Sequence, residues 1–592
     1  MTKLHNLITD NIDIWTSAIK KRSATGRGSS KKIELTGVKK LRELILDLAV
    51  RGKLLSQDQN DEPASKLLKS IDKEKAQLIK NKELKRSKVL PELLEDECIF
   101  DIPESWLWCR LGNICKKLTD GSHNPPSNSG MGFPMLSCQN VNYGKVDFSS
   151  PSRYVTEEDF HQENKRTRIQ PNDVLLSIVA SIGRSAVVPD DAPKFVLQRS
   201  VAVLQSQMSP SYFSYMLTSP LCINYYNRHA KGTAQKGIYL GKLSLMPLAI
   251  PPLAEQHRIV AKVDELMALC DQLEQQTEQS ISAHKTLVQV LLNTLTASFD
   301  AHEFNQNWAR IAEHFDTLFT TEDSIEQLKQ AILQLAVMGK LVAQDVNDEP
   351  TSKLLKIISD EKKKLISDKS IKKVKELPKL TNEDKLFDLP NGWEWGRFQD
   401  IAANVNNALK AGPFGSALKK SMYVETGFKI YGQEQVISGD ENLGDYYIDN
   451  EKYESLSSCK VASGDILISL VGTIGKVLVL SENCQPGIIN PRLVKISLFE
   501  SINRKFIQNI LASPLIQFEL SEKSHGGTMN ILNLGLLKEL VFPIPPIEEQ
   551  ERICTKVFQL MTICNQLKLQ ISEARQSKVN LAEVLVQQGL SH

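Results

Sequence analysis

Several common features are missing from this sequence of 592 residues. No apolar run approaches the length of about 18 residues that a membrane span needs, and Met1 to Lys21 mixes charged and apolar residues where a secretion signal would have an apolar core. The ten cysteines include no Cys-x-x-Cys pair and no zinc-ligand spacing. We therefore expect a cytoplasmic protein with no membrane contact, in which the cysteines are buried free thiols.

Net charge is also scarce. The formal charge is only +2, which neither requires nor excludes a polyanionic partner, because binding depends on where charges cluster. Hydrophobic residues make up 41% of the chain, enough to build the cores of several domains.

Catalytic signatures are missing as well. Asn124-Pro125-Pro126-Ser127 resembles the Asn-Pro-Pro-aromatic loop of adenine methyltransferases, but Ser127 replaces the aromatic residue that would stack on a flipped base. The segment 472–477 is too short for a phosphate-binding loop. The sequence therefore predicts no catalytic residue, and we expect a protein that is not an enzyme.

His123 follows Asp120-Gly121 and allows two interpretations. It could be a metal ligand or a base, although no second histidine or cysteine lies at metal spacing nearby. It could instead be a turn histidine that positions or reads something in a binding loop. We favour the second interpretation and predict no metal site.

The positive feature of the sequence is an internal repeat. Leu41–Leu54 recurs as Leu328–Leu341, an offset of 287 residues, and Asn60–Lys69 recurs as Asn347–Lys356. Between the repeated parts lie two inserts, 98–250 and 386–546, whose sequences differ over long stretches. A repeated frame that carries unlike inserts indicates a protein that recognises two different things.

The repeated segments predict helices. Leu41, Leu44, Ile45 and Leu48 fall at i, i+3, i+4 and i+7, and a glycine follows in both copies where a helix would end. Proline at 63 and 350 predicts the first turn of a second, short helix in each copy.

Each insert ends in a proline pair that precedes a heptad pattern. Ile250–Gln256 and Ile544–Gln550 are closely similar, and apolar residues then alternate steps of four and three. We predict a coiled-coil helix of about forty residues after each pair, or about 60 Å at 1.5 Å per residue.

The inserts themselves predict mixed α/β domains. Asp173–Ile178 matches Asp465–Leu470 as a short strand that leads to an Ile-Gly turn. Leu118–Pro126 and Lys410–Ser416 are unlike and are the loops in which we expect specificity to reside.

These features together resemble the specificity subunits of type I restriction-modification systems. The resemblance rests on the repeated Leu-x-x-x-Ile-Leu-x-Leu-Ala-Val-x-Gly-Lys-Leu helices and on Pro-Pro-x-x-Glu-Gln-x-Arg-Ile at Pro251–Ile259 and Pro545–Ile553. It implies a subunit without chemistry of its own, in which two target recognition domains each read one half of an asymmetric double-stranded DNA site. The helices would set the spacing and dock two copies of the methylation subunit, with a restriction subunit in the full complex.

The same resemblance implies the fold, the domains and the cofactors. We expect two α/β (α+β) recognition domains joined by long antiparallel coiled-coil helices, with a pseudo-twofold repeat. The predicted parts are a helical region with a basic linker (1–97), the first recognition domain (98–250), a central helical region (251–385), the second recognition domain (386–546) and a C-terminal helix (547–592). No cofactor is expected on this chain, while S-adenosylmethionine, ATP and magnesium would belong to its partners.

The repeat also predicts that the two ends of the chain pack together, because the last coil has only the first start helix left to pair with. A weaker similarity between Ile8–Asp13 and Ile311–Asp316 supports this closure. The basic insert at 20–32 is either a flexible linker, which we favour, or an arm that contacts phosphates.

Base reading needs Arg, Lys, Asn, Gln or His on loops, and phosphate contacts need mainly positive charge. Arg184 and Lys476 occupy equivalent positions and are candidates for backbone contacts. The other candidates for DNA binding are His123, Asn124, Arg153, Lys165, Arg166, Arg168, Lys231, Gln235, Lys236, Lys410, Lys419, Lys420, Gln433, Lys523, His525 and Asn530.

Some alternatives remain at this point. The charged stretch Lys73–Lys80 is either a solvated helix face or a docking surface, and the first is favoured. The whole protein could instead be a free-standing DNA-binding protein with two reading heads, or a scaffold that brings other proteins together without binding DNA.

Overall fold

The structure is a computed structural model that describes residues 2–21, 33–84, 89–233, 235–299, 301–373, 375, 377–470, 475–523 and 532–591. The helices and strands of the first half are α1 (Thr2–Thr9), α2 (Ile12–Ser17), β1 (Lys20–Lys21), β2 (Ile33–Glu34), α3 (Thr36–Val50), α4 (Ala64–Lys80), β3 (Leu107–Arg110), α5 (Leu111–Ile114), β4 (Lys117–Asp120), β5 (Phe133–Leu136), β6 (Val141–Asn142), β7 (Lys145–Val146), β8 (Arg153–Val155), α6 (Glu157–Thr167), β9 (Val174–Ser177), β10 (Ser185–Val187), β11 (Val196–Leu197), β12 (Val201–Gln205), α7 (Pro210–Thr218), α8 (Pro220–His229), α9 (Leu240–Leu243), β13 (Pro247–Ile250) and α10 (Leu253–Ala297).

The second half repeats this order with small changes. Its elements are α11 (Ala301–Glu313), α12 (Phe315–Leu318), α13 (Glu322–Val337), α14 (Thr351–Ser367), β14 (Glu394–Arg397), α15 (Phe398–Ile401), β15 (Leu409–Ala411), β16 (Phe428–Tyr431), α16 (Gln433–Ser438), β17 (Tyr447–Ile448), α17 (Asn450–Ser455), β18 (Ile466–Ser469), β19 (Val477–Val479), β20 (Gly487–Ile489), β21 (Leu493–Ile496), α18 (Arg504–Ala512), α19 (Pro514–Lys523), α20 (Leu534–Glu539), β22 (Val541–Ile544) and α21 (Ile547–Ser591).

The chain forms two compact units that do not follow its linear order. The first unit comprises residues 1–281 together with 573–592, and the second comprises 282–572. Helices α10 and α21 therefore each contribute residues to both units. The five predicted parts of the chain are smaller than these units, and their boundaries stay a prediction.

The predicted start helices are confirmed in both units. In α3, Leu41, Leu44, Ile45 and Leu48 are all buried in the core of the first unit, and α13 buries the matching residues in the second. Both helices end two residues before a glycine with positive φ, Gly52 or Gly339, which is the expected C-terminal stop.

The second repeated helix is longer than predicted, and its charged face is not simply solvated. Helices α4 and α14 have 17 residues each and begin directly after the predicted prolines. The Lys75 ammonium donates to the carbonyls of Gly112 and Asn113, at 3.0 and 3.3 Å, and Glu74 pairs with Lys116. Part of the Lys73–Lys80 stretch thus braces its helix against the neighbouring recognition domain, because long basic side chains can cap exposed carbonyls.

The two predicted recognition domains are mixed α/β and share one sheet topology. A four-stranded antiparallel sheet has the order β10-β9-β12-β4 in the first domain and β19-β18-β21-β15 in the second. A three-stranded sheet follows in each, with one parallel and one antiparallel pair, in the orders β11-β5-β8 and β20-β16-β17. Each domain is closed by a two-stranded pair, β3 with β13 and β14 with β22.

The prediction that the ends of the chain pack together is confirmed. Val579, Ala582 and Leu585 of α21 belong to the same buried cluster as Leu44 of α3. The Lys53 ammonium donates to the Leu590 carbonyl at 2.7 Å. The sequence similarity near residue 8 is also real at the level of structure, since short helices occupy both places.

The long helices reach the predicted length, with 45 residues each in α10 and α21. Their winding into an antiparallel coiled coil and the pseudo-twofold relation stay predictions. In the basic insert, Lys20 and Lys21 pair with Glu34 and Ile33 in a small antiparallel ladder, so its first two residues are not a flexible linker. Residues 22–32 lie outside the described part of the chain, and the role of the insert stays open.

All ten cysteines are described and are free thiols, but the prediction that they are buried holds only for six. Cys98, Cys138, Cys484 and Cys554 are half-buried. Within the described residues, no helix combines the length and apolar character that crossing a bilayer would require.

Candidate nucleic-acid interface

In the first domain, several predicted site residues converge at one end of the four-stranded sheet. The strand ends Asp120, Ser177 and Val201 are neighbours there, because Val201 pairs with Ser177 and Ala202 pairs with Asp120. Loops leave the sheet at this end. We define the first loop surface as residues 121–128, 178–184, 198–200, 231–233 and 235–237.

Backbone hydrogen bonds connect the loops of the first loop surface in a chain. Ser122 N donates to Leu197 O at 2.7 Å, and Arg199 N donates to Ser122 O at 2.9 Å. Ile178 N donates to Ser200 O, and Ala180 N donates to Lys236 O, both at 2.9 Å. The loops are therefore held by one another, which gives their side chains fixed starting points.

Three side chains form a polar cluster at the edge of the first loop surface. His123 Nε2 lies 2.9 Å from the Oδ2 of the buried Asp120, and Arg166 of α6 pairs with the other oxygen of that carboxylate. Arg166 also donates from Nε to Asp120 O at 3.1 Å. The histidine side chain is still 53% exposed, so it is positioned without being covered. This arrangement supports a histidine that is oriented by its loop.

The remaining candidates of the first domain separate into four groups. Arg153 lies in β8 and donates to Pro126 O at 2.6 Å, so it holds the 121–128 loop in place. Arg168 is away from the first loop surface, because its carbonyl accepts from Gln205 at the opposite end of β12. Arg184 is half-buried, with Nη1 3.5 Å from Asn142 Oδ1. The exposed candidates are Asn124, Lys165, Lys231, Gln235 and Lys236.

The second domain has an equivalent surface at the same end of its sheet. Gly412 N donates to Leu493 O at 3.0 Å, and Leu470 N donates to Arg492 O at 2.9 Å, as Gly121 and Ile178 do with Val201 and Ser200. We define the second loop surface as residues 412–417, 490–492 and 475–476. Residues 471–474, which border it in sequence, and residues 524–531 lie outside the described part, and so do the candidates His525 and Asn530.

The other candidates of the second domain are placed unevenly. Lys410 lies within β15, half-buried and opposite Lys495, and is a strand residue instead of the loop residue predicted. Gln433 begins α16 and donates to Ser469 Oγ at 2.8 Å while accepting from Arg492 at 3.3 Å. Lys419, Lys420 and Lys476 are exposed, and the backbone of Lys523 ends α19.

Sequence reasoning missed two arginines and one structural correspondence. Arg199 and Arg492 are exposed in the turns just before β12 and β21, within the two loop surfaces. A basic residue one or two positions before a buried apolar strand was the available signal. The correspondence is that Gly121 and Gly412 occupy the same place, although the surrounding sequences are unlike.

Each unit also contains a matched set of polar contacts at the start of its long helix. Trp106 Nε1 donates to Glu255 Oε2 at 2.8 Å, and Gln57 donates to the other oxygen at 2.8 Å. Arg258 forms a two-pronged pair with Asp61, at 3.0 and 2.5 Å. The similar Pro-Pro-x-x-Glu-Gln-x-Arg-Ile segments are therefore joints between the long helix, the start helices and the recognition domain.

The second unit repeats every one of these contacts. Trp393 donates to Glu549 at 2.9 Å, Gln344 donates to Glu549 at 3.0 Å, and Arg552 pairs with Asp348 at 3.1 and 2.5 Å. Burial raises the pKa of Glu549, as it does for Glu255, while the indole hydrogen bond opposes this shift.

The described residues show no group of three or more His, Cys, Asp or Glu side chains placed to hold a metal ion. What the loop surfaces offer is a mixture of hydrogen-bonding and cationic groups on loops fixed at a sheet edge. Such groups suit contacts to the phosphates and base edges of nucleic acid.

Comparison with known proteins agrees with this arrangement. The family model described as type I restriction modification DNA specificity domain matches residues 103–283 and 409–574. The chain is 36% identical to the type I restriction enzyme EcoAI specificity subunit of Escherichia coli, covering 99% of this chain and 100% of that one. It is 34% identical to the EcoEI specificity subunit of the same species, with the same coverage.

A solved structure, the HsdS subunit from Thermoanaerobacter tengcongensis, is 18% identical over 83% of this chain and 98% of that chain, with a TM-score of 0.36. The assignment therefore rests on the sequence matches, which span both recognition domains and the helices between them. The chain belongs to the type I restriction-modification DNA specificity family, as a specificity subunit.

Proposed function

We propose that this specificity subunit reads an asymmetric, two-part site in double-stranded DNA, one part with each loop surface. The observation that carries the proposal is the repetition of one sheet edge with different side chains on it. The two domains share one sheet topology and place these loops at the same sheet edge, so we infer that differences in the bases read come from the loop residues.

The side chains of the first loop surface support direct reading of bases. His123, Asn124 and Gln235 carry both hydrogen-bond donors and acceptors, which the base edges in the major groove can match. Arg199, Lys231 and Lys236 supply positive charge for the phosphates. In the second loop surface, Arg492 and Lys476 take the corresponding roles.

The repeated frame supports a spacing function. Helices of 45 residues, each about 68 Å long at 1.5 Å per residue, begin at the joints made by Glu255 and Glu549. We infer that they set the number of unread bases between the two parts of the target.

The outer faces of the long helices support docking of two copies of one partner, for which we propose the methylation subunit. In the first unit, Leu269, Leu581 and Val584 are exposed by 47%, 48% and 51%. In the second unit, the repeat-equivalent residues Ile563, Leu287 and Val290 are exposed by 51%, 51% and 54%. Exposed apolar positions that occur equally in both units fit a partner that binds twice.

We further propose that the chain performs no chemistry itself. Its partners would bind S-adenosylmethionine to methylate adenine and, with a restriction subunit, ATP and magnesium to cleave DNA. In this model the specificity subunit provides DNA reading and assembly in the cytoplasm.

Co-purification with the methylation subunit, followed by native mass spectrometry and a DNA methylation assay, tests this proposal. We expect one specificity chain with two methylation subunits, and methylation only when both proteins are present. Leu581→Asp should weaken one docking event, Leu287→Asp the other, and the double variant both. Full sequence-specific binding by this chain alone, with no associated methylation subunit, would favour a free-standing DNA-binding protein; partner binding without DNA binding would favour a scaffold.

A further inference from the structure

The two unlike loops can be aligned by an anchor glycine in each. A Cβ on Gly121 would lie 2.1 Å from Leu197 O, and a Cβ on Gly412 would lie 1.9 Å from Asn490 O. Both glycines donate to the first residue of the neighbouring strand, Val201 or Leu493. The residue two positions after the anchor glycine is His123 in the first domain and Phe414 in the second.

We propose that this second position after the anchor glycine is a base-reading position in both domains, with different chemistry in each. His123 would accept a hydrogen bond from an exocyclic amino group, and Phe414 would pack against a thymine methyl group. The inference rests on the proposed function and adds the residue and the type of base that it selects.

The hydrogen bonds of His123 define its chemistry. Its Nε2 lies 2.9 Å from a carboxylate oxygen of Asp120 and 3.3 Å from Nη2 of Arg166. Because the carboxylate can only accept and is the nearer partner, we assign the proton of the neutral ring to Nε2. None of the hydrogen bonds found among the described residues uses Nδ1. In the neutral ring, Nδ1 is then an acceptor, and in the major groove it suits the amino group of adenine or cytosine.

The surroundings of Phe414 define a different preference. Its side chain is 75% exposed, between the buried Pro413 and Gly415, which has φ +61° and no atom within 4 Å of a built Cβ. A phenyl ring cannot exchange hydrogen bonds with a base edge, but it gains free energy when an apolar group removes it from water. The thymine methyl is the apolar group that the major groove displays.

The charge around Phe414 favours DNA over another occupant. Arg492 lies in the adjacent turn of the second loop surface, Lys419 and Lys420 follow in sequence, and all three are exposed. Exposed cations on this loop surface and in the segment that follows it attract the polyanionic duplex.

The test uses the complex with its methylation subunits and begins from the wild-type target, identified by sequencing of methylated adenines. His123→Phe and Phe414→His are introduced singly, and the target of each variant is mapped again. We expect one position to change in one half of the target for each variant. Two controls should leave the target unchanged. Val405→Ala changes an apolar residue that is 57% exposed and precedes β15, at the end of the strand away from Gly412. His257→Phe changes an exposed histidine on α10.

A second measurement tests the thymine contact directly. Each thymine of the target is replaced by deoxyuridine in duplex oligonucleotides, which removes only the methyl group. For the wild-type complex we expect one replacement, in the half read by the second domain, to lower kcat/KM for methylation by about 5- to 50-fold. For Phe414→Ala the same replacement should have less than a twofold effect, because the partner of the methyl is gone.

Unchanged targets in both variants, or a wild-type complex that is indifferent to every deoxyuridine, would overturn the inference. Failure of the proposed function looks different, since exchange of residues 98–250 would then leave the target unchanged or alter both halves. If exchange of residues 98–250 alters one half of the target while the His123 and Phe414 variants leave it unchanged, the proposed function stands and only the base-reading role of these two residues is refuted.

Discussion

Gly121 and Gly412 show how much of a reading surface can depend on one missing side chain. The carbonyls of Leu197 and Asn490 lie where a Cβ would stand, so the loops pass over the adjacent turn only because glycine is present. The nearest atoms are backbone, which cannot rotate away as a side chain could.

Substitution of either glycine should therefore damage one reading surface alone. We expect Gly121→Ala to lower the affinity of the assembled complex for its target by at least about tenfold, since displacement of the loop removes base contacts worth about 1–3 kcal/mol each. Gly412→Ala should do the same through the other half. Binding measured with targets mutated in one half at a time separates the two effects, and Gly241→Ala is the control, because its Cβ would meet no atom within 4 Å. Equal binding by Gly121→Ala and wild type would contradict this account of the loop.

Trp106 and Glu255 permit a prediction with a pH dependence. Burial raises the pKa of Glu255, and the indole hydrogen bond opposes that shift by favouring the carboxylate. A carboxyl group with a raised pKa contributes most below its ordinary titration range and costs stability as pH rises through its folded pKa. Removal of the indole donor leaves the buried carboxylate with less support, so the damage should be greatest where Glu255 is ionised.

We expect Trp106→Phe to lower the free energy of unfolding of the first unit by about 1–3 kcal/mol at pH 7 and by less at pH 4. Urea denaturation followed by circular dichroism measures both values. Trp108→Phe is the control, since that indole packs against Phe100 at a ring distance of 4.8 Å. A larger loss at pH 4 than at pH 7 would refute the assignment.

Among the elements, those with local patterns were predictable and those fixed by long-range packing were not. The spacing of Leu41, Leu44, Ile45 and Leu48 is enough to predict a helix, and the apolar run at Asp173–Ile178 is enough to predict a strand. The ion pair between Arg166 and Asp120 was not predictable, because the two residues are 46 positions apart in sequence.

The same reason explains why the local surroundings of the candidate site residues were not predictable. Sequence composition marks a side chain as able to contact DNA but does not reveal that Arg153 is already bound to Pro126 O, or that Lys410 lies within a strand. Arg199 and Arg492 are candidates for DNA contact because the turns that contain them pack against the anchor glycines, which the sequence does not reveal.

The end of α21 offers a test of chain closure. Removal of residues 579–592 takes Val579, Ala582 and Leu585 out of the core that contains α3. Loss of two large buried side chains and the closing contact should cost several kcal/mol in the first unit.

Hydrogen exchange followed by mass spectrometry measures the effect along the chain. We expect faster exchange in Leu41–Val50 and no change in Leu328–Val337, whose cluster uses Val288 and Leu292 of α10 instead. Removal of residues 591 and 592 alone is the control and should change neither. Equal loss of protection in both helices, or in neither, would contradict the closure.

The molecule as a whole combines one frame, present twice, with two different reading surfaces. The hydrogen bonds of Trp106 with Glu255 and of Trp393 with Glu549 have nearly the same length, 2.8 and 2.9 Å. The loops of the two recognition domains share an anchor glycine and little else. We infer that recognition changes by replacement of a domain while the frame and its docking positions stay constant.

Exchange of residues 98–250 for the corresponding domain of another family member tests this most directly. The chimeric subunit is expressed with its methylation subunits, and methylated adenines are mapped by single-molecule sequencing. The account predicts that one half of the target changes, while the other half and the number of unread bases between them stay the same. A change in both halves would contradict it.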